Sequence, residues 1–274
     1  MSQDAHLILL IYEVIVDMYP VLNEMIYLEK KQPTYSDFSI KYNGMDLKFS
    51  VNNTAADILE LCNGENSIAD IVDSLAEKFN EDINKVYLFV NEFIENSVKI
   101  GNVIIRSEVS QKRELQIIGT SDYWSLDLVS IELTYTCPLN CRHCYANAGK
   151  GNFISYDLVD KILTECKEFG KPQIQLTGGE PLTHPDFFRI VKKAVDNDFN
   201  VVIFTSGYID NETIINKIMK FPRERVSFQI SVDGLEEYHN RFRGRSDAFR
   251  TTENFIKKLC KMGFRVTTAT CIDD

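Results

Sequence analysis

Three cysteines lie close together in the middle of the chain, at Cys137, Cys141 and Cys144. Thiolates at this spacing are typical metal ligands. A structural zinc site needs four closed ligands, and His143 lies inside the loop, where it could hardly reach a metal held by its neighbours. Three thiolates suit a [4Fe–4S] cluster that keeps one iron open for a substrate or cofactor. A zinc-dependent protein remains the alternative.

Polar residues follow the predicted strands farther along the chain. Gly178 and Gly179 permit a tight turn and a close backbone approach to a ligand. Glu180 supplies a negative acceptor for an ammonium group, and Arg243 supplies a planar fork that suits a carboxylate. Ser231 ends another predicted strand. The C-terminal ends of parallel strands gather catalytic loops at one edge, so these residues are expected to share a site with the cysteines.

Four segments resemble the motifs of radical S-adenosylmethionine (SAM) enzymes. The loop Cys137-Pro-Leu-Asn-Cys141-Arg-His-Cys144-Tyr145 resembles their cluster-binding signature. Thr177-Gly178-Gly179-Glu180-Pro181-Leu182 resembles their Gly-Gly-Glu motif. Ser231-Val232-Asp233-Gly234 and Arg241-Phe242-Arg243-Gly244 resemble the members that modify peptides and proteins, some of which carry a further C-terminal cysteine-rich (SPASM-type) domain.

The resemblance implies two cofactors, a [4Fe–4S] cluster on the three cysteines and SAM. The SAM contacts would come from Gly178, Gly179, Glu180, Ser231, Arg243 and His143. Glu180 would meet the amino group, Ser231 the ribose and Arg243 the carboxylate. His143 would border the adenine, although plain loop packing explains its position equally well. In the family, the reduced cluster cleaves SAM, and the resulting 5′-deoxyadenosyl radical takes a hydrogen atom from the substrate.

The second half of the sequence alternates between strand and helix patterns, which indicates a parallel sheet with right-handed crossovers. The predicted strands are Val129–Thr134, Gln173–Thr177, Asn200–Thr205, Arg225–Val232 and Phe264–Cys271. The predicted helices are Tyr156–Phe169, Asp186–Asn197, Glu212–Met219 and Ala248–Met262. A closed barrel needs eight strand–helix units. The expected fold class is therefore α/β, with a partial parallel (β/α) radical-SAM barrel over residues 129–274 that looks truncated after its fifth strand.

A small α+β winged-helix-like domain is predicted at residues 31–107. Asn43-Gly44 lies between two strand patterns and is a strong hairpin signal. Three helices and a short strand follow, at Ala55–Cys62, Ile68–Phe79, Asp82–Ser97 and Val103–Ile105. Residues 108–128 are interpreted as a linker. The role of the apolar segment within residues 1–30 is uncertain; its run is too short to span a bilayer.

The segment from Asn53 to Ile71 resembles the PqqD-like domains called RiPP recognition elements, which bind the leader of a ribosomally made precursor peptide. Charge argues against a DNA-binding interpretation of the winged helix. Residues 34–99 hold 12 acidic and 5 basic residues, a net charge of −7, and phosphate recognition needs a basic surface. Binding is expected at the hairpin edge by strand addition, with apolar pockets from Val86, Phe89 and Phe93.

Composition limits the location and partners of the chain. Its 274 residues carry a net charge of −10, which disfavours nucleic acid and anionic membranes as partners. Seven cysteines are an odd number and exclude a complete disulfide framework, and no signal peptide pattern opens the chain. These features favour reduced thiols in the cytoplasm.

The residues outside these motifs receive structural interpretations. Cys62, Cys166 and Cys260 fall on apolar helix faces and are predicted to be buried, as is Cys271. Tyr238-His239 is interpreted as an exposed loop. Ser206-Gly207 could line the same pocket as the cysteines or could be turn residues.

The expected function is modification of a ribosomally made precursor peptide, for example by thioether formation, by a radical SAM enzyme. A reductant such as ferredoxin or flavodoxin would be a further partner. Two alternatives remain: a non-catalytic leader-binding or scaffold protein, and a protein-maturation enzyme of the sulfatase-maturase type.

Overall fold

The computed structural model describes residues 17–23, 26–32, 35–42, 45–120, 122–209 and 211–272. The chain divides into two compact units, Met1–Ser125 and Leu126–Asp274. The N-terminal apolar run and the turn residues Asn43 and Gly44 lie outside the described residues. Within the described part of the chain, no helix is long and apolar enough to cross a membrane.

The described part of the N-terminal unit contains two sheets. Its strands are β1 (Tyr19–Leu22), β2 (Tyr27–Gln32), β3 (Tyr35–Tyr42), β4 (Met45–Asn52), β5 (Val103–Arg106) and β6 (Gln116–Gly119). One sheet has the order β4-β3-β2-β6, and β1 pairs with β5 in the other. β3 and β4 are antiparallel, with Tyr42 opposite Met45 and Tyr35 opposite Asn52, which confirms the predicted hairpin strands. β4 is an edge strand of its sheet.

Three helices pack on these sheets: α1 (Asn53–Leu61), α2 (Ile68–Phe79) and α3 (Ile83–Lys99). Their starts follow from side-chain caps. The Asn52 side chain accepts a hydrogen bond from the Ala55 backbone N–H, and Ser67 forms a reciprocal capping box with Asp70. The Asp82 side chain caps α3 by accepting hydrogen bonds from the backbone N–H groups of Asn84 and Lys85. The predicted three-helix pattern is confirmed, and α2 has the predicted ends.

Residues 108–128, which were expected to be a linker, contain a strand of the N-terminal unit. This strand, β6, pairs in parallel with β2, from Tyr27 opposite Gln116 to Lys30 opposite Gly119. β1 and most of β2 precede the predicted domain start. β6 is only four residues long, and pairing with the open edge of β2 accounts for its extended form.

The C-terminal unit is built on a five-stranded parallel sheet in the order β11-β10-β9-β8-β7. Its strands are β7 (Leu128–Glu132), β8 (Gln173–Thr177), β9 (Val201–Thr205), β10 (Val226–Ser231) and β11 (Arg265–Ala269). All four neighbouring pairs are parallel. The predicted alternation of strands and helices is confirmed, and every strand brings its C-terminal end to the same edge.

Five helices connect these strands: α4 (Tyr156–Cys166), α5 (Phe187–Asp196), α6 (Glu212–Ile218), α7 (Glu236–Arg243) and α8 (Ala248–Lys261). Short 3-10 turns occupy Lys167–Phe169 and Pro181–Thr183. The apolar faces of α4, α5, α6 and α8 pack against the sheet and form one core, in which Phe187, Phe199 and Phe228 are completely buried. This burial fixes the strand ends that carry the polar residues.

Three sequence interpretations are corrected in this unit. Tyr238 and His239 lie on α7 rather than in a loop, and His239 is buried at 1 % exposure. Cys260 and Cys271 are exposed, because α8 turns Cys260 away from the sheet and Cys271 lies beyond the last strand. Cys62 and Cys166 are buried, as predicted.

Candidate functional site

A cavity of about 230 Å³ opens at the C-terminal edge of the parallel sheet. It is lined by residues of the cysteine loop and of the ends of β8, β9 and β10: Cys137, Leu139, Cys141, His143, Cys144, Tyr145, Ala146, Ala148, Thr177, Gly178, Gly179, Phe204, Thr205, Ser206, Ser231 and Arg243. Eight of the nine residues predicted from the sequence therefore line one cavity. Glu180 is absent from this lining.

The cysteine loop follows β7, and backbone hydrogen bonds hold it both to itself and to the end of α7. The Cys137 backbone N–H donates to the Gly149 carbonyl at 2.9 Å, which closes the loop on itself. The backbone N–H groups of Asn140 and Arg142 donate to carbonyls of Arg243 and Phe242 at the end of α7. The loop is thus held against α7, and its three half-buried thiols share the cavity.

Burial governs the acidity of two of these thiols. It raises the pKa of Cys137 to about 11. Burial also raises the pKa of Cys141, while the neighbouring Arg243 guanidinium opposes the rise. A thiol binds metal as the thiolate, so binding of iron would release these protons.

The arrangement of the three thiols bears on whether they would hold a [4Fe–4S] cluster or a single zinc ion. Among the described residues, no three His, Cys, Asp or Glu side chains are arranged to hold one metal ion. Zinc requires ligands that converge on one point, whereas each thiolate of a [4Fe–4S] cluster binds a different iron. Three separated thiols in one cavity fit the cluster better than zinc.

Gly178 and Gly179 form the floor of the cavity beside the extension of β7. Gly178 has a φ of +131°, and a Cβ there would lie 2.3 Å from the Thr134 carbonyl oxygen. The Gly179 backbone N–H donates to that same oxygen at 2.6 Å, and a Cβ on Gly179 would lie 2.5 Å from the Thr136 carbonyl oxygen. The sequence predicted close approach to a ligand; the structure shows that close approach to the chain's own backbone already requires both glycines.

Glu180 lies beneath the cavity and is completely buried. One carboxylate oxygen accepts from the Thr205 hydroxyl at 2.7 Å and the Leu182 backbone N–H at 3.3 Å. The other accepts from the Ser206 hydroxyl at 2.6 Å and its backbone N–H at 3.0 Å. Burial raises the pKa of Glu180, and these four hydrogen bonds oppose the rise. The carboxylate therefore ties the end of β8 to the end of β9.

Arg243 is buried to 7 % exposure and reaches the cavity from the end of α7. Its Nε donates to Oδ2 of Asp233 at 2.5 Å, and its Nη1 lies 3.5 Å from Sγ of Cys141. The sequence predicted a planar fork that suits a carboxylate. One edge of that fork is occupied by Asp233, which leaves the Nη groups for a ligand.

His143 and Ser231 complete the predicted set. The His143 ring stacks on Phe242, with ring centres 4.3 Å apart and planes 15° apart. Its pKa is lowered, first by burial and then by the nearby Arg243 charge. Ser231 lies at the end of β10 and lines the cavity.

Sequence reasoning missed the roles of Asp233 and His239. Asp233 was quoted as part of a motif without a function, and His239 was interpreted as exposed. Asp233 is 1 % exposed and pairs with Arg243. The spacing of Asp233, His239 and Arg243, with the last two four residues apart on one helix, is the signal that could have placed them together.

The N-terminal unit has its own groove, of about 540 Å³. It is lined by Asn52, Thr54, Leu75, Phe79, Glu81, Lys85, Val86, Phe89 and Val90. Val86 and Phe89 face this groove as expected. Phe93, the third predicted pocket residue, does not line the groove; it lies one turn beyond Phe89 on α3 and is half-buried against the unit's core.

The chain shows sequence similarity to several curated proteins, among them one from Methanosarcina barkeri and one from Bacillus subtilis. The chain is 36 % identical over 141 residues to the "AdoMet-dependent heme synthase" of Methanosarcina barkeri, which covers 50 % of the chain and 40 % of that protein. It is 23 % identical over 269 residues to the "Antilisterial bacteriocin subtilosin biosynthesis protein AlbA" of Bacillus subtilis, which covers 93 % of the chain and 58 % of AlbA. The chain thus spans about half the length of the curated relatives it matches.

A solved structure shares the fold. SuiB of Streptococcus suis, solved bound to its precursor peptide SuiA, superposes with a TM-score of 0.56 at 14 % identity, over 91 % of this chain and 56 % of SuiB. Two family profiles also match. Residues 45–101 match "Coenzyme PQQ synthesis protein D (PqqD)", and residues 131–273, more than half of the chain, match "Radical SAM superfamily". With the three-cysteine cavity at the edge of its parallel sheet, the chain belongs to the radical SAM superfamily.

Proposed function

We propose that this chain carries out radical SAM chemistry on a ribosomally made precursor peptide whose leader binds the N-terminal unit. The observation that carries the proposal is the cavity that brings three thiols, Ser231 and Arg243 together at the strand ends. The match of residues 45–101 to PqqD supports the peptide part. Similarity to AlbA and SuiB, whose names refer to a bacteriocin and a precursor peptide, supports it further.

Cys137, Cys141 and Cys144 would hold a [4Fe–4S] cluster. Three thiols and no fourth cysteine in the cavity lining leave one iron for a ligand. When bound, the cluster and SAM supply the radical that removes a hydrogen atom from the substrate. The protein's part is to bind these groups, orient them and limit access of water.

The SAM contacts would be divided among the strand ends. The Nη groups of Arg243 would bind the carboxylate, because its Nε is held by Asp233. Ser231 would meet the ribose, and His143, stacked on Phe242, would border the adenine. Gly178 and Gly179 add no side chain to the cavity floor, so the backbone there can approach the ligand.

Glu180 acts on the amino group through its neighbours in this proposal. Its two oxygens already accept four hydrogen bonds, from Thr205, Ser206 and Leu182. Thr205 and Ser206 line the cavity, and Glu180 fixes where their hydroxyls lie. Leu139, Ala146, Ala148 and Phe204 give the cavity an apolar wall that limits water.

The leader would bind at the groove of the N-terminal unit. β4 is the edge strand of its sheet, so an extended peptide can add to it by backbone pairing. Phe79 and Phe89 are 41 % and 46 % exposed in the groove and offer apolar contacts to anchor side chains. The net charge of −7 over residues 34–99 disfavours duplex DNA at this surface.

We place this reaction in the cytoplasm, with a small redox protein such as ferredoxin or flavodoxin as the electron donor. The described cysteines are free thiols, which suits a reducing compartment. The cysteine-rich domain found in some relatives would be a separate contribution to the whole reaction.

Anaerobic reconstitution with iron and sulfide tests the site. We expect about four iron atoms per chain and, under a strong reductant, cleavage of SAM to 5′-deoxyadenosine and methionine. Zinc without sulfide would contradict the cluster. A protein that holds the cluster and the leader but never cleaves SAM would support the scaffold alternative.

Calorimetry with the cognate precursor peptide tests the partner. We expect an affinity near micromolar, about −8 kcal/mol, because ordering a flexible peptide offsets part of the contact energy. A short DNA duplex is the control and should give no heat of binding. No heat with an authentic leader would limit the N-terminal unit to a structural role.

A further inference from the structure

Asp233 is a buried carboxylate outside the cavity lining. It follows β10, is 1 % exposed, and uses both of its oxygens. Oδ2 accepts from Nε of Arg243 at 2.5 Å, and Oδ1 accepts from the Cys271 backbone N–H at 3.0 Å. A buried carboxylate with two such partners is fixed in place, and it fixes whatever it pairs with.

Arg243 lies between this carboxylate and the cysteine loop. Its guanidinium is planar, so holding Nε determines the directions of both Nη groups. Nη1 is 3.5 Å from Sγ of Cys141. Removing the hold at Nε would let the guanidinium rotate away from the cysteine and from the cavity.

His239 holds the turn that presents Asp233. Its Nδ1 accepts from the Asp233 backbone N–H at 3.1 Å, so the ring proton is on Nε2. Nε2 is buried and has no hydrogen-bond partner among the described residues. A buried donor without a partner destabilises the folded protein. The ring's useful contact is therefore its Nδ1 acceptor.

We propose that Asp233 and His239 are positioning residues that hold the Arg243 guanidinium toward the cavity and toward Cys141. Neither residue lines the cavity, so both act through Arg243. This inference rests on the proposed function, in which Arg243 binds the SAM carboxylate and Cys141 binds the cluster.

A competing role for Asp233 predicts the opposite sign. If Asp233 only neutralised Arg243, it would compete with the SAM carboxylate, and Asp233→Asn would bind SAM more tightly. If Asp233 positions Arg243, Asp233→Asn leaves one oxygen for two donors, the Nε–H of Arg243 and the backbone N–H of Cys271, and the weakened hold releases the guanidinium. SAM would then bind more weakly, although the local charge has become more positive.

The experiment uses the full chain, reconstituted anaerobically, and measures the SAM dissociation constant by equilibrium dialysis together with iron content. We expect Asp233→Asn and His239→Leu to weaken SAM binding about tenfold with iron near wild type. His239→Asn places an amide oxygen where Nδ1 lies, and should recover most of the affinity. Asp247→Asn, which removes an exposed acceptor of the Tyr208 hydroxyl, is the matched control and should change nothing.

The cluster's reduction potential without SAM is the second readout. His239→Leu leaves the formal charge unchanged, so a shift reports the guanidinium position alone. Losing a donor near the Cys141 sulfur should move the potential to a more negative value, because hydrogen bonds to cluster sulfurs stabilise the reduced state. His239→Asn should restore it.

The outcomes separate the two proposals. Unchanged SAM affinity in Arg243→Ala would overturn the proposed SAM site. Weakened binding in Arg243→Ala with wild-type or tighter binding in Asp233→Asn would overturn only the positioning role. Equal losses in His239→Leu and His239→Asn would also overturn it. If Asp233→Asn loses iron, its SAM affinity no longer tests the positioning role. The SAM affinities of His239→Leu and His239→Asn then provide the test.

Discussion

The groove of the N-terminal unit and the cavity of the C-terminal unit differ in the residues that line or support them. In the groove, Phe79 and Phe89 leave nearly half of their surface exposed beside an edge strand. Around the cavity, Glu180, Asp233 and Arg243 are charged and buried. The groove offers exposed apolar surface for binding, whereas the cavity is supported by buried charged groups in fixed positions.

This difference teaches how each unit should respond to change. Apolar contact is roughly proportional to area, so a groove loses affinity in small steps as side chains are trimmed. A buried charge depends on each partner, and leaving one atom unpaired costs the full desolvation penalty. Substitutions around the cavity should therefore have larger effects than substitutions of similar size in the groove.

Removing one cluster thiol should give the largest effect. We expect Cys141→Ala to lose the cluster and SAM cleavage together, because no other cysteine lines the cavity. Iron analysis and 5′-deoxyadenosine formation measure this. Cys260→Ala, an exposed cysteine of the same unit, is the control. A Cys141 variant with full cleavage activity would show that the loop does not hold the cluster.

Glu180→Gln should weaken SAM binding about tenfold while iron stays near wild type. The new amide places a donor against the hydroxyls or N–H groups that Glu180 now accepts from. The same clash should lower the free energy of unfolding by about 1–3 kcal/mol. Dialysis and thermal melting measure the two effects. Lost affinity with unchanged stability would indicate that Glu180 contacts the ligand directly.

In the groove, Phe89→Ser should weaken leader binding about fivefold. Phe89 is already half-exposed, so the peptide buries only its remaining surface, worth about 1 kcal/mol. Calorimetry with the precursor peptide measures this loss. Leu88→Ser removes a neighbouring side chain that is 69 % exposed outside the groove, and should bind like wild type. Equal losses in both variants would place the leader elsewhere on α3.

An exposed ion pair at the rim of the groove should give the smallest effect. Lys85 and Glu81 lie 2.9 Å apart with their side chains 71 % and 47 % exposed. Exposed pairs at this helical spacing contribute about 0.3–0.5 kcal/mol. Lys85→Ala should therefore move the thermal midpoint by only a few degrees in melting experiments. A loss of stability as large as that of Glu180→Gln would erase the contrast between exposed and buried charge.

Local signals predicted much of the fold and the site. Ser67 and Asp70 mark the start of α2, and its ends were predicted correctly because the cap and the apolar spacing agree. The cysteine loop and the motif residues could be assembled from sequence because parallel strands place their C-terminal ends at one edge.

Other features depend on partners distant in sequence. α7 has few apolar residues, so no helical pattern identified it, and two of its three buried residues, His239 and Arg243, are polar. Asp233 and Arg243 pair only once β10 and α7 are folded. The four hydrogen bonds to Glu180 come from residues up to 26 positions away. Spacing alone could not assign these contacts.

The two glycines at the cavity floor restrict how this site can evolve. Any side chain at Gly178 would place an atom 2.3 Å from the Thr134 carbonyl oxygen, and backbone cannot give way as a flexible side chain can. Changes in the shape of the cavity are therefore better tolerated at its wall, where Ala146 and Ala148 are small and line the cavity. A mutant library meant to change what the cavity accepts should vary these two alanines and keep both glycines.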